Sequence, residues 1–419
     1  MKVGVIGLGY VGLNLIKVLL KKKISFIGFD KNQFKIKLLK KKKSYITDIS
    51  NKDLLRINPK NLSSSFSKKH ISECDYLLIC VPTPLKNNNE PDMTYVKEVF
   101  NNIYSKLRPG QTIVLESTVY PGATREIFQK KLNKKFTLGR NFYLGFSPER
   151  IDPGIKKRSI SVENITKLVS GNTNNCLKKV EKFYEKIFNN IYKCKSLEEA
   201  EISKLFENTF RSVNIGLVNE FKMLCHKINV NFHNIVSAAK TKPFGFRAFT
   251  PGPGVGGHCI PIDPLFVSWF AKRKKFNANF IKLSNRVNIK VTDWIISKIL
   301  QNIKKLKKNK IKILILGIAY KKNINDDRES PAKKIFEKLY YKKNFIVEYI
   351  DPYIPYFYLD KKKINSKKIN YKEIKKKDIV VIATDHTDIN YRNILNHGKL
   401  IIDTRGVYKN YKSPKIIHV

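Results

Sequence analysis

The chain opens on a short apolar run, Lys-Val-Gly-Val-Ile-Gly at 2–7, which has the pattern of a strand buried on both faces. Apolar positions then recur at helical spacing over 13–20, lysines 21–23 interrupt them, and 25–30 gives a second strand, completing one βαβ unit. Further strands are predicted at 76–81 and 112–115, each followed by turn residues and a helical stretch, as in a parallel sheet with crossover helices. From 196 to 228 there is no proline and only Gly216, while Ala200, Leu205, Phe206, Phe210, Val213 and Leu217 keep helical spacing, which predicts one long helix. A Gly/Pro segment at 250–264 breaks the helical region, helix returns over 266–306, and the lysine-rich stretch 304–310 reads as a linker. At Ile311 the strand pattern restarts with Ile-Lys-Ile-Leu-Ile-Leu-Gly, followed by strands at 346–351, 378–384 and 400–403. The expected organisation is α/β: a first open parallel-sheet domain at 1–190, a central helical domain at 191–308, and a second, smaller α/β domain at 309–419. No repeat of 20 to 50 residues runs through the chain.

Composition agrees with packed domains and changes one thing. Hydrophobic residues are 42% of the 419, enough to fill cores and to exclude general disorder. The outlier is a formal net charge of +48, from 82 Lys and Arg against 34 Asp and Glu, which raises a polyanion as a partner. The lysines lie in short clusters from Lys2 to Lys415, as a solvated surface would have them. No zinc-finger spacing, aromatic RNA-binding signature or long basic tail accompanies them, so no specific nucleic-acid partner is expected. The cysteines, at 74, 80, 176, 194, 225 and 259, form no CxxC pair, which fits a reduced, cytoplasmic protein. The apolar opening carries four glycines and no cleavage site, and no run reaches the ~20 apolar residues of a membrane span, so membrane insertion is not expected.

Gly7, Gly9 and Gly12 form GxGxxG between the first strand and its helix, and Asp30 ends the next strand. In that context the first glycine permits a tight turn, the second admits a pyrophosphate to the backbone, and the third lets helix and strand pack closely. The domain is therefore Rossmann-like and the expected cofactor is a dinucleotide. A carboxylate at Asp30 accepts ribose hydroxyls and repels a 2′-phosphate, favouring NAD over NADP, although Lys31 beside it pulls the other way. A second constellation is Pro251-Gly-Pro-Gly-Val-Gly-Gly-His-Cys-Ile-Pro-Ile-Asp263. Six of its first seven residues are Gly or Pro, so the backbone turns sharply and can approach a ligand closely. It delivers Cys259, a candidate thiolate nucleophile with His258, Asp263 and nearby lysines to tune it.

With GLGYVG at 7–12, CVPTPL at 80–85, ESTVYPGAT at 116–124, SPER at 147–150, SKLFENTFRSVNIGLVNE at 203–220, GPGVGGHCIPID at 252–263 and GIAYKKNINDDRESP at 317–331, the chain resembles the UDP-glucose and GDP-mannose dehydrogenase family over its whole length. KPFGF at 242–246 followed by GGHCIPIDP is similar to the branch acting on UDP-N-acetylglucosamine for surface polysaccharide; UDP-N-acetylmannosamine and UDP-glucose are the alternatives. The resemblance implies two Rossmann-like domains joined by a central helical domain whose long helix pairs two subunits. It also implies a four-electron oxidation of a sugar C6 alcohol to a carboxylate with two NAD, through a thiohemiacetal and a thioester on Cys259. Lys204 and Asn208, i and i+4 on one helix, would stabilise an oxyanion; Glu149 would activate the hydrolytic water, Thr118 would position a water, and Asp263 would steer Cys259.

NAD contacts carried over from the family are Gly7, Gly9, Tyr10, Val11, Gly12, Asp30, Thr83, Thr118 and Arg328. Substrate contacts carried over are Glu149, Lys204, Asn208, Gly256 and Lys321; Arg405, in Asp-Thr-Arg-Gly, is a further candidate for the uridine diphosphate side, with a structural salt bridge as the equal alternative. Leu265-Phe266 departs from the branch, where a tyrosine hydroxyl is common, and Asn325 stands where an acid is common. His258, His386 and His397 are not spaced as a metal set, and no metal is expected. A non-enzymatic rival is a basic polyanion-binding protein on this fold; Cys259 and Lys204 weigh against it.

Overall fold

In the computed structural model, eight strands form the first sheet: β1 Lys2–Ile6, β2 Ser25–Phe29, β3 Leu62–Ser63, β4 Tyr76–Ile79, β5 Thr112–Leu115, β6 Tyr143–Phe146, β7 Lys167–Gly171 and β8 Ile191–Lys193. Their order is β3-β2-β1-β4-β5-β6-β7-β8, parallel throughout except that β7 runs antiparallel to β6. The first six follow the doubly wound order, with the strand sequence reversing between β1 and β4, where such sheets bind ligands at the carboxyl ends of their strands. The residues described are 1–46, 49–151 and 161–419. Contacts divide the chain into one unit of residues 1–207 with 265–276 and another of 208–264 with 277–419.

The first sheet's core is what its sequence pattern requires. Val3, Val5, Leu78 and Val114 are fully buried beneath Leu15, Ile16 and Leu19 of helix Tyr10–Lys21. The second unit holds a five-stranded parallel sheet, order β10-β9-β13-β14-β15, from β9 Ile311–Leu316, β10 Phe345–Ile350, β13 Ile379–Ile382, β14 Ile401–Asp403 and β15 Ile416–His418. A hairpin, β11 Tyr356–Leu359 with β12 Lys362–Asn365, lies between them in sequence. Alternation along the strands sorts the core into two faces. Ile313, Ile315, Val381 and Ile402 pack with Ile295 and Ile299 of the helix Asn279–Lys305. Leu314, Leu316, Val380 and Ile382 pack with Ile374 and Ile394 on the other side.

The long helix runs Leu197–Lys227, close to its expected span. The helix expected over 266–306 is instead two, Asp263–Arg273 and Asn279–Lys305. Between them Lys275 takes a left-handed backbone with φ +57°, where the helical hydrogen bonds stop. No Gly or Pro marks that break, so the residue pattern alone carried straight through it. Strands β6, β7 and β8 and the helix Phe232–Ala239 were likewise not read from the sequence.

Candidate active site

In the first unit, one group of candidate residues lies on the carboxyl side of the first sheet. Gly7 has φ +92°, and a methyl group there would come within 2.8 Å of the Cys80 carbonyl. At Gly12 it would lie 2.0 Å from the Gly7 carbonyl, whereas nothing stands within 4 Å of the corresponding position at Gly9. Two glycines are thus demanded by packing and the third leaves the turn open to a ligand. Gly9 caps the first helix and brings no side chain to the helix's positive end. Asp30 accepts from the Leu8 and Asn32 backbone N–H groups, both at 2.9 Å, and lies 3.3 Å from Lys35 Nζ. Lys31 is turned onto the Tyr95 ring, its Nζ 4.6 Å from the centroid. This cradle fits a dinucleotide: open backbone for the pyrophosphate and an acid at the ribose position. Thr83 donates to the Thr118 carbonyl at 2.6 Å, tying together the loops after β4 and β5.

Glu149 follows β6. Its Oε1 accepts from the N–H groups of Arg150 and Ile151 at 2.6 and 2.8 Å, while Oε2 is buried with no hydrogen-bond partner, 3.8 Å from Lys167 Nζ. Lys167 pairs with Glu116 at 2.6 Å in a buried cluster that also takes in the Tyr184 hydroxyl. Burial works to lower the Lys167 pKa, but the carboxylates of Glu116 and Glu149 outweigh it and raise it, so the ammonium is retained. Lys204, on the long helix, is 8% exposed and has no carboxylate within ion-pair distance among the described residues.

The second unit holds the remaining groups. Asn208 and Asp263 are buried together, the Asn208 amide donating to Asp263 Oδ2 at 2.6 Å. The Cys259 carbonyl accepts from the Asp263 N–H at 2.9 Å, forming the turn that enters the following helix. Cys259 is exposed and the other five cysteines are buried. The glycine loop before it is pinned from both long helices. Asn219 accepts from the Gly252 N–H at 3.0 Å and donates to Asn288 at 3.2 Å, and Thr292 donates to the Pro253 carbonyl at 2.6 Å.

The loop glycines are also closely met, so a methyl group would strike Arg405 from Gly252 at 2.6 Å, Thr292 from Gly254 at 2.7 Å, and Tyr320 from both Gly256 and Gly257 at 2.6 Å. The Arg328 carbonyl accepts from the Gly257 N–H at 2.9 Å, and the Arg328 guanidinium grips Asp326 with Nε and Nη2. Arg405 Nε donates to the Ala383 carbonyl at 2.8 Å. Lys321 is half-buried on the loop after β9. His258 is held below its ordinary pKa, first by burial and then by Arg328, so it is neutral near pH 7.

Three family models match in order: the NAD binding domain over 1–188, the central domain over 198–290 and the UDP binding domain over 314–410 of the UDP-glucose/GDP-mannose dehydrogenase family. The UDP-N-acetyl-D-mannosamine dehydrogenase of Methanococcus maripaludis is 31% identical over 423 residues, covering 98% of this chain and 93% of that one. The chain belongs to the UDP-glucose/GDP-mannose dehydrogenase family.

It is also 33% identical to the UDP-N-acetyl-D-glucosamine 6-dehydrogenase of Pseudomonas aeruginosa over 362 residues, 84% of this chain and 83% of the relative. Its fold matches the UDP-D-ManNAc dehydrogenase from Pyrococcus horikoshii with a TM-score of 0.85 at 29% identity, covering 99% and 97% of the two chains. Membership makes the protein an enzyme, a nucleotide-sugar dehydrogenase with the family's NAD-binding domain. The α/β architecture of two Rossmann-like domains and a central helical domain is shared with these neighbours.

No helix among the described residues is long and apolar enough to cross a membrane, and no cluster of three or more metal-ligating side chains occurs among them. The sequence reading missed Glu116, Lys167 and the Asn219–Asn288 ladder. It also missed Asp351, which follows β10 as Asp30 follows β2 but is spent on the N–H groups of Ile318, Ala319, Tyr353 and Ile354 and on His386. Five protein donors fill the acceptor capacity of this carboxylate. Polar residues inside apolar strands and helices were the available signal.

Proposed function

We propose that the enzyme oxidises the C6 alcohol of a UDP-2-acetamidohexose to the carboxylate, with Cys259 as the covalent nucleophile. The observation carrying this reading is that Cys259 alone among six cysteines is exposed, on a loop fixed by Asn219 and Thr292 and one turn from the buried Asn208–Asp263 pair. NAD, held by Gly7, Gly9, Tyr10, Val11, Gly12, Asp30, Thr83, Thr118 and Arg328, supplies hydride acceptance at both oxidation stages. Cys259 adds as thiolate to the C6 aldehyde, giving a thiohemiacetal whose oxidation leaves a thioester. Lys204 and Asn208 stabilise the oxyanion, and the Asp263 contact fixes which way the Asn208 amide points. Glu149 takes a proton from the hydrolytic water, Thr118 helps place that water, and the sulfur leaves as thiolate. Gly256, Lys321 and Arg405 bind the UDP-sugar, the cations against its diphosphate.

Glucosamine is the favoured sugar on the KPFGF and GGHCIPIDP stretches. Mannosamine is the second reading, favoured by a relative of that name that aligns over 98% of the chain against 84% for the glucosamine relative. A homodimer is supported by Phe210, Leu217, Phe221 and Leu224, which line one side of the long helix, and by Ile228 just past its end, all of them exposed. Six unpaired thiols fit a cytoplasmic setting. Purified protein with NAD and a panel of UDP-sugars tests the assignment: two NADH per sugar with UDP-N-acetylglucosamine is expected. Turnover confined to UDP-glucose would overturn the acetamido reading.

A further inference from the structure

A buried ammonium stands behind Glu149, and the reaction above gives it no task. Lys167 opens strand β7 and is 2% exposed, a place where an unpaired charge would not be tolerated. Its Nζ lies 2.6 Å from Glu116 Oε2, 3.2 Å from the Pro148 carbonyl and 3.8 Å from Glu149 Oε2. The rings of Tyr184 and Phe188 flank it at 5.4 Å each. Glu116 is held from its other side by the Tyr184 hydroxyl. The ammonium is therefore fixed by Glu116 and Pro148 and faces Glu149 beyond hydrogen-bonding reach. Glu149 answers this asymmetry: two backbone N–H groups fill Oε1, and Oε2 is buried, unpartnered and directed toward the cation. A buried orphan oxygen requires an explanation. Here the fixed cation offsets its charge while leaving its lone pairs unspent.

We propose that Lys167 is a positioning residue for Glu149, presenting Oε2 as the proton acceptor for the hydrolytic half of the reaction. The proposal rests on the reading of Glu149 and Cys259 given above. In that half, the water oxygen bonds to the thioester carbon and one water proton passes to Glu149 Oε2. The C–S bond then breaks, its electron pair returns to sulfur as thiolate, and the second water hydrogen remains on the carboxylic acid. Lys167 gains and loses no proton in this step. The oxidation stages do not call on Glu149 as a base, so removing Lys167 acts on hydrolysis selectively.

The test uses full-length Lys167→Met, Lys167→Arg and Glu149→Gln with NAD and UDP-N-acetylglucosamine, following NADH by stopped flow and the Cys259 peptide by mass spectrometry after acid quench. For Lys167→Met, the initial NADH burst stays within about 3-fold of wild type, steady-state turnover falls about 100-fold, and an acyl adduct accumulates on Cys259. Lys167→Arg restores most of the turnover, and Glu149→Gln accumulates the same adduct. Lys167→Met strands Glu116 in the interior, so the double variant Lys167→Met/Glu116→Gln repeats the test without a buried unpaired acid. If burst and steady state slow by one common factor, or if Glu149→Gln traps the adduct and neither lysine variant does, the role of Lys167 is overturned while that of Glu149 stands. If Glu149→Gln traps no adduct, the reading beneath it fails and the inference falls with it.

Discussion

At the scale of single residues, the same side-chain types divide by surroundings into chemistry and scaffold. Burial raises the Cys74 thiol to about 12, leaving it inert near neutral pH, and Cys80 is pushed up by burial as well, whereas Cys259 meets solvent at a turn. Asp30 and Asp351 follow equivalent strands, yet only Asp30 retains acceptor capacity for a ribose. Asp30→Ala should weaken NAD about 10-fold while the affinity for the sugar nucleotide stays unchanged. Because Asp30 also holds the Leu8 and Asn32 N–H groups, the variant should lose about 1 to 2 kcal/mol of stability. Calorimetric titration and thermal melts check both, and a loss confined to the sugar nucleotide would contradict the assignment. The glycine turn was legible because its constraint is local: Gly12 is demanded by the carbonyl of Gly7, five residues earlier. Lys167 was not, because its partner Glu116 lies 51 residues back, just past strand β5.

At the scale of elements, the long helix Leu197–Lys227 carries several unrelated duties along its length. It bears Lys204 and Asn208, pins the glycine loop through Asn219, and buries Lys222, whose Nζ donates to the Thr404 carbonyl at 3.1 Å beside Arg405. Its helical period was plain in the sequence, but these duties depend on loops and strands far away in the chain. Burial lowers the Lys222 pKa to about 7, with Asp403 opposing and Arg405 adding to the shift, against an ordinary value of 10.5. Between pH 7 and 10.5 the unfolded chain therefore binds a proton that the folded chain lacks, so this group makes stability rise with pH across that window. Below the window, folding bears the full penalty of burying the ammonium. Lys222→Met should remove this part of the slope, on the order of a few kcal/mol, seen as a wild-type-minus-variant difference in denaturant unfolding at pH 7 and pH 10. Equal slopes for the two proteins would contradict the buried, destabilised lysine.

At the scale of the whole molecule, the +48 charge and the exposed seam of the long helix set how the protein meets others. With 82 basic and 34 acidic side chains, most cations have no acid to pair with, and adhesion to DNA at low salt is expected. Binding should fall about 1,000-fold between 50 and 200 mM salt; tight binding that persists would revive the polyanion-binding reading. Phe221→Glu with Leu224→Lys should split the proposed dimer, seen as a halved mass by sedimentation. An unchanged mass would place the subunit contact elsewhere. Fold and family were legible because seven motifs keep their order along 419 residues, whereas the sugar depends on pocket shape, which residue spacing does not encode. The central claim concerns the sulfur of Cys259. The most direct measurement is the product formed by Cys259→Ala with NAD and the UDP-sugar that wild type turns over. No uronate should form while NAD affinity stays within about 2-fold of wild type. Uronate accompanied by two NADH per sugar at a rate near that of wild type would contradict covalent catalysis at Cys259.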